Sequence, residues 1–187
     1  ERLTRTANAL MKRTNWRYDD RPGLTVAQIV EAYRRAGEAN GTKLVTVDYL
    51  NIVRSSLDSR APRHEKLDQI ATDLANAAKA DRVAIVAATQ IGRSAMQRQG
   101  ARPTLEDLKE SGALEERCKC AVLIHRGSVY GDPVEGVDWD PSWDVPNNQR
   151  PTDTAWSRRA DLIVAKQSNG PEGDVLATWE PEFMRFS

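Results

Sequence analysis

Only two cysteines, Cys118 and Cys120, and two histidines, His64 and His125, occur in the 187 residues. The C-x-C spacing puts both thiols on one face of a strand, and no second Cys or His cluster completes a zinc site. Two reduced cytosolic thiols are expected. The histidines lie far apart in sequence and are not expected to be ligands. An excess of one charge is also lacking: Lys plus Arg and Asp plus Glu number 27 each, for a formal net charge of zero. That excludes a broadly basic nucleic-acid coat and confines any such binding to a local patch. No apolar stretch is long enough to span a membrane and no signal-peptide pattern opens the chain, so a cytoplasmic location is expected. Asn40-Gly41-Thr42 matches a glycosylation acceptor, but without a secretory context it reads as coincidence. There is no internal repeat.

What is present is enough for one domain with a full core. With 40% hydrophobic and 29% charged residues, the chain suits a soluble globular protein. Leu3, Ala7, Leu10 and Met11 share a helical face over 2–12. "NWRYDD", 15–20, reads as a short strand before the turn Arg21-Pro22-Gly23. Thr25 and Gln28 form a capping box ahead of Val26, Ile29, Val30 and Tyr33 at helical spacing, and Gly37 and Gly41 stop that helix. A strand is expected at 43–48, a polar loop to Pro62, and a helix over 64–80. "RVAIVAATQ", 82–90, and "CAVLIHR", 120–126, read as buried strands, with a short helical segment near 104–117 between them. Residues 127–159, rich in Gly, Pro, Asp and Trp, read as a long loop. Strands at 161–167 and 174–180 flank Asn169-Gly170, a hairpin signal. Helices alternating with apolar strands imply parallel crossovers, so the fold class is α/β with an antiparallel C-terminal edge.

"KLVTVDYLNIV", 43–53, ends an apolar run on an acid, Asp48. An acid at a strand tip faces a cation, a metal or a cleft, or simply caps the following loop. Gln90 closes the next apolar strand. In an open α/β sheet ligands sit outside the carboxyl ends of the strands, so neighbouring tips would line one cleft. There an acid can hold Mg²⁺ through a water, and a glutamine can sense a phosphate or orient a water. The phosphate loop of such nucleotidases, G-x-x-x-x-G-K-[ST], is absent from the chain. The nearest string, "GEANGTK" at 37–43, has the wrong spacing and follows a helix rather than a strand.

"PTLEDLKESGALEERCKCAVLIHR", 103–126, resembles bacterial replicative DNA helicases of the DnaB type, hexameric rings with a RecA-like motor domain. "LVTVDYLNIV" resembles their Walker B strand, "VAATQIGR" their strand with a sensor glutamine, and "IVAKQSNGPEGDVLATWEPEFMRF" their C-terminal hairpin. "YDDRPGLTVAQI" resembles the segment before the Walker B helix. The likeness runs over nearly the whole chain except 127–159. It implies that 1–187 is the C-terminal part of one RecA-like domain of the P-loop NTPase type. The sheet would be mostly parallel and flanked by helices, with an antiparallel hairpin and a loop insertion at 127–159. In the family the phosphate loop and the water-activating glutamate lie upstream of these segments.

The resemblance implies ATP and Mg²⁺ as cofactors, with Asp48 linked to the metal through water and Asp48, Gln90 and Lys166 as catalytic and nucleotide-binding residues. Lys166 matches the hairpin lysine that reaches a neighbouring subunit's γ-phosphate. The family's arginine finger stands here as Ser168, which carries no charge; Arg185 is a substitute to consider. Family DNA contacts map to Lys109, Glu110 and Gly112, with Lys109 in place of an arginine. Arg93, Arg98 and Arg102, with no acid among them, form a local basic loop that suits backbone binding; the alternative is a solvated, mobile loop, the reading favoured for Arg98. Trp139, Trp143 and Trp156 sit among acids that repel phosphate. The implied activity is that of an ATP-dependent helicase coupling hydrolysis to translocation on single-stranded DNA and duplex unwinding. Its implied partners are a homo-hexamer, primase and a helicase loader. This chain alone is expected not to hydrolyse ATP. The alternative is a truncated or degenerate homologue acting as a non-catalytic interaction module.

Overall fold

Thr25 opens the first helix among the described residues with the reciprocal bonds expected of it. Its Oγ1 accepts from the Gln28 N–H at 3.3 Å, and Gln28 Oε1 accepts from the Thr25 N–H at 2.9 Å. The computed structural model describes residues 17–37, 41–92, 102–108, 112–127 and 158–187. The expected helix over 2–12 and most of the 127–159 loop, with its tryptophans, lie outside them.

Helix α1 spans Val26–Ala36 and ends at Gly37, whose N–H donates to Tyr33 O and Arg34 O. Gly37 is right-handed (φ −90°), and the left-handed turn falls to Gly41 (φ 69°). Strand β1, Leu44–Val47, then leads through a 3₁₀ turn at Leu50–Ile52 into helix α2, Arg63–Asp81. Arg82, left-handed at φ 53°, turns the chain into strand β2, Ala84–Ala87. Strands β1 and β2 pair in parallel, Leu44 opposite Ala84 and Val47 opposite Ala87, so α2 is the crossover. The core here joins Val26, Val47, Leu50, Leu67, Ile70 and Leu74. Each such side chain stabilises the fold by about 1.5–3 kcal/mol when fully buried.

Beyond a 3₁₀ turn at Leu105–Leu108, helix α3 covers Gly112–Arg117 and strand β3 covers Cys120–His125. Strands β4 (Arg159–Gln167), β5 (Gly173–Glu180) and β6 (Arg185–Phe186) complete a four-stranded antiparallel sheet in the order β3-β4-β5-β6. Leu108, Ala121 and Leu123 centre a second core, with Leu105 and Ile163 packed against it.

Several expectations need correction. Among the described strands parallel pairing is confined to β1 and β2, with one further isolated parallel bridge between Thr25 and Arg54; every other ladder is antiparallel. Strand β3 is not buried throughout but alternates: Ala121, Leu123 and His125 are buried while Val122 and Ile124 are half exposed, which is the one-sided pattern of an antiparallel strand. Strand β2 is likewise largely exposed. Residues 17–20 form no strand; Asp19 instead turns back onto Arg21 through two side-chain bonds of 2.6 and 2.9 Å. The loop after Asp48 is not wholly polar, because Leu50 is one of the most buried residues. Asn169-Gly170 sits in the β4–β5 connection as expected, but the ladder closes at Val164 opposite Gly173, so the turn is longer than a two-residue hairpin.

Candidate functional site at the carboxyl ends of β1 and β2

The parallel register sets the tips of β1 and β2 side by side. The Ala88 N–H donates to Val47 O at 2.9 Å, and the Leu50 N–H donates back to Ala88 O at 2.9 Å. Thr89 Oγ1 lies 3.4 Å from Asn51 Oδ1 and links the two outgoing loops. Asp48 and Gln90 therefore leave adjacent strands at the same edge, as the apolar-run-then-polar pattern suggests.

Asp48 is exposed. No described residue hydrogen-bonds to its carboxylate, and Tyr49, at the cap of the 3₁₀ turn that follows, makes no side-chain capping bond. The loop-cap reading therefore has no bond to support it. Gln90 is also exposed and, with Tyr49, Asn51 and Ser55, lines a cleft of about 450 Å³ floored by Leu67 and Ile70. Asn51 and Thr89 went unremarked in the sequence; only the strand register, which pairs their loops, brings them together. A wider groove of about 610 Å³, bounded by Val30 and Arg34 of α1 and Asp73 and Asn76 of α2, contains none of the candidate residues.

The chemistry suits Mg²⁺ of the kind that keeps most of its waters. Among the described residues no group of three His, Cys, Asp or Glu side chains is arranged as a metal cage. Mg²⁺ in phosphoryl-transfer sites takes one or two carboxylates, with waters and substrate phosphates completing the shell. A single open carboxylate at a strand tip fits that pattern.

Lys166 is not at this edge. It is half-buried on β4, and its Nζ donates to the backbone carbonyls of Glu115 and Glu116, at 3.3 Å for the latter. These are late carbonyls of α3, where a cation also complements the helix dipole. Ser168 is exposed, and its N–H donates to Lys119 O at 2.9 Å. Arg185 pairs with Glu180 at 2.9 Å and lies over the Phe183 ring at 5.1 Å. Hydrogen bonds from Ser187 and Arg185 hold the Glu180 carboxyl below the usual range. Burial pushes the Cys118 thiol up, against the opposing charge of Lys166.

Of the expected DNA-facing residues, Arg93, Lys109 and Glu110 lie outside the described residues, as does Arg98; Gly112 is the first residue of α3. Arg102 is a correction. It bridges Asp161 of β4 and Asp174 of β5, at 2.9 and 2.5 Å, so acids remote in sequence neutralise a cation that looked solitary in its own loop. His125 is buried and His64 exposed, on different elements.

A parallel strand pair joined by a crossover helix, with an open acid and an amide at its carboxyl edge, and a separate four-stranded antiparallel sheet make this a mixed α/β protein. The whole chain, residues 1–187, matches the DnaB-like helicase C terminal domain, and it belongs to that family. It is 27% identical over 168 residues to the replicative DNA helicase DnaC of Bacillus subtilis (strain 168), covering 90% of this chain and 33% of that protein. It is 32% identical over 189 residues to the replicative DNA helicase DnaB of Buchnera aphidicola subsp. Acyrthosiphon pisum (strain APS), covering 99% and 36%. Among solved structures, a DnaB-like replicative helicase, described with its interactions with primase, is similar with a TM-score of 0.72 at 26% identity, over 88% of this chain and 35% of that one. A separately solved ATPase domain is similar with a TM-score of 0.72 at 26% identity, over 88% and 51%. The chain spans about a third of the length of the curated relatives it matches. Among the described residues no helix is long and apolar enough to cross a membrane.

Proposed function

We propose that this chain is the C-terminal part of the RecA-like motor of a replicative, ATP-dependent DNA helicase. The observation that carries the reading is the shared edge of β1 and β2, where Asp48 stands open and Gln90 lines the adjoining cleft. Asp48 would hold Mg²⁺ through water, and the metal, when bound, neutralises charge on the nucleotide phosphates. Gln90, with two amide hydrogens and a carbonyl, orients a water or a phosphate oxygen at the same edge. The hydrogen bond between the two loops keeps these groups in register.

Lys166 acts elsewhere in this reading. Its position on β4 suits a contact to a neighbouring subunit's nucleotide, reached by leaving the α3 carbonyls. Ser168 contributes no charge to that contact, and Arg185 serves only if it gives up Glu180. Lys109, Glu110 and Gly112, with Arg93, form the single-strand backbone contact. The complete protein is a homo-hexamer in the cytoplasm that translocates on single-stranded DNA and works with primase and a loader. No G-x-x-x-x-G-K-[ST] occurs in the 187 residues, so this chain by itself does not turn over ATP. The test is phosphate release by the chain with Mg²⁺ and single-stranded DNA. Turnover that survives purification and vanishes in Asp48→Ala would overturn that assignment.

A further inference from the structure

The chain's two cysteines, its only thiols, meet where α3 passes into β3, and the motor reading uses neither. Cys118 follows the last residue of α3, and Cys120 is the first of β3. Two residues apart on a fully extended chain, Cα atoms stand at most about 7 Å apart, and a disulfide spans about 4.4–6.8 Å. The chain bends at Lys119 rather than running extended, which shortens the separation. Cys118 is half-buried and Cys120 exposed. The Cys118 S–H donates to Glu115 O at 3.6 Å, the same carbonyl that takes Lys166 Nζ. Strand β4 closes the other side: Gln167 is the ladder partner of Cys120, and the Ser168 N–H donates to Lys119 O at 2.9 Å. Burial raises the pKa of the Cys118 thiol, Lys166 opposes the rise and Cys120 adds to it, so the two thiols sense each other's charge.

Two neighbouring thiols of unequal exposure suit stepwise exchange, because the thiolate attacks and access decides which thiol meets a reagent first. We propose that Cys118 and Cys120 are a redox-active dithiol that low-molecular-weight disulfides close reversibly into a disulfide. The exposed Cys120, as thiolate, attacks one sulfur of the small disulfide. That S–S bond breaks, and one small thiol leaves. Cys118 then loses its proton and attacks Cys120 Sγ in the mixed disulfide. The Cys118–Cys120 bond forms, and the second small thiol leaves. The dithiol has given up two electrons and two protons, and the small disulfide has become two thiols. Lys166, a cation beside Cys118, favours the thiolate that the second attack needs. An exposed disulfide in a tight ring belongs to the labile kind rather than the permanent kind. Closing it removes the Cys118 S–H, so among the described side chains Lys166 alone then donates to Glu115 O. Oxidation therefore holds Lys166 on α3, away from the contact that the motor reading gives it. That consequence rests on the motor reading; the disulfide itself does not.

The experiment treats the wild-type chain, Cys118→Ser and Cys120→Ser with oxidised glutathione, counts free thiols and weighs the protein by mass spectrometry. For wild type the expected result is loss of both thiols and a mass lower by two hydrogens. The digest should carry a Cys118–Cys120 link, and dithiothreitol should return both thiols. Cys118→Ser is expected to stop as a glutathione adduct on Cys120, and Cys120→Ser to keep its Cys118 thiol over the same time. Circular dichroism checks that each variant folds. A wild-type chain that keeps both thiols, stops as an adduct or links to a second chain overturns the proposal. So does a Cys118 thiol in Cys120→Ser that reacts as fast as Cys120 does in Cys118→Ser. The consequence is tested on the complete protein, by phosphate release with Mg²⁺ and single-stranded DNA before and after oxidation. Turnover is expected to fall about twofold or more, the effect of a weak hydrogen bond, and to return with dithiothreitol, with no response in Cys118→Ser. If the disulfide forms and Asp48→Asn abolishes turnover, but oxidation changes nothing, the hold on Lys166 fails and the motor reading stands. If Asp48→Asn turns over normally, the motor reading fails whatever the thiols do.

Discussion

Asp48 is solvated and bonded to no described residue, so its charge contributes little to folding whatever it does for chemistry. Exposed substitutions of this kind shift stability by no more than about 0.5 kcal/mol. Asp48→Asn should therefore melt within about that margin of wild type in denaturant titrations; a large loss would mean that the carboxylate is a structural cap after all. Tyr33 differs. Burial, then its hydrogen bond to Asp81, raises its pKa from 10.0 to about 12. A folded pKa above the unfolded one means stability is intact below 10.0 and drains as pH rises toward about 12, because the unfolded chain ionises first. Asp81, held by Arg34 and Tyr33, is shifted down, so its contribution is present above 3.8 and fades as pH falls through its folded value. Melting temperatures across the alkaline window should drop, and Tyr33→Phe should flatten that drop; an unchanged slope in the variant would refute the assignment.

At the scale of elements, α1, α2, β1 and the C-terminal hairpin were legible because each carries a local signal. Those signals are the capping box at Thr25, the apolar spacing Leu67, Ile70, Leu74, and an apolar run closing on Asp48. Pairing was not. Whether 120–126 joins a parallel or an antiparallel sheet depends on which strand it meets, and β4 lies more than thirty residues on. Arg102 illustrates the same limit for the site: its neutralising acids sit on β4 and β5, so its own loop's lack of acid was misleading. A cleft at the neighbouring strand tips was expected, but the wall that the start of α2 adds beside Gln90 was invisible for the same reason. The element that holds β1 and β2 together is α2. Ile70→Ala, at a position 3% exposed, should cost about 2–5 kcal/mol by leaving a cavity in that core. A loss below that range in urea unfolding would show that the helix repacks without it.

At the scale of the whole chain, the neutral total charge means that the proposed DNA contact would come from cations gathered in one place. In the proposed hexamer, six copies around a channel would multiply modest contacts by avidity. In the complete protein Lys109→Ala should weaken single-stranded DNA binding across all sequences and flatten its salt dependence. Affinities and salt slopes equal to wild type, with rings intact by light scattering, would remove Lys109 from the DNA site and favour the interaction-module alternative. The central claim, however, is chemical, and the edge of β1 and β2 carries it. Steady-state phosphate release by the complete protein, with Mg²⁺ and single-stranded DNA, should fall by at least about a hundredfold in Asp48→Asn. Metal stabilisation of transferring phosphates is worth several kcal/mol, and each 1.36 kcal/mol is about tenfold in rate. Turnover in Asp48→Asn equal to wild type, in a protein that still forms rings, would contradict the account.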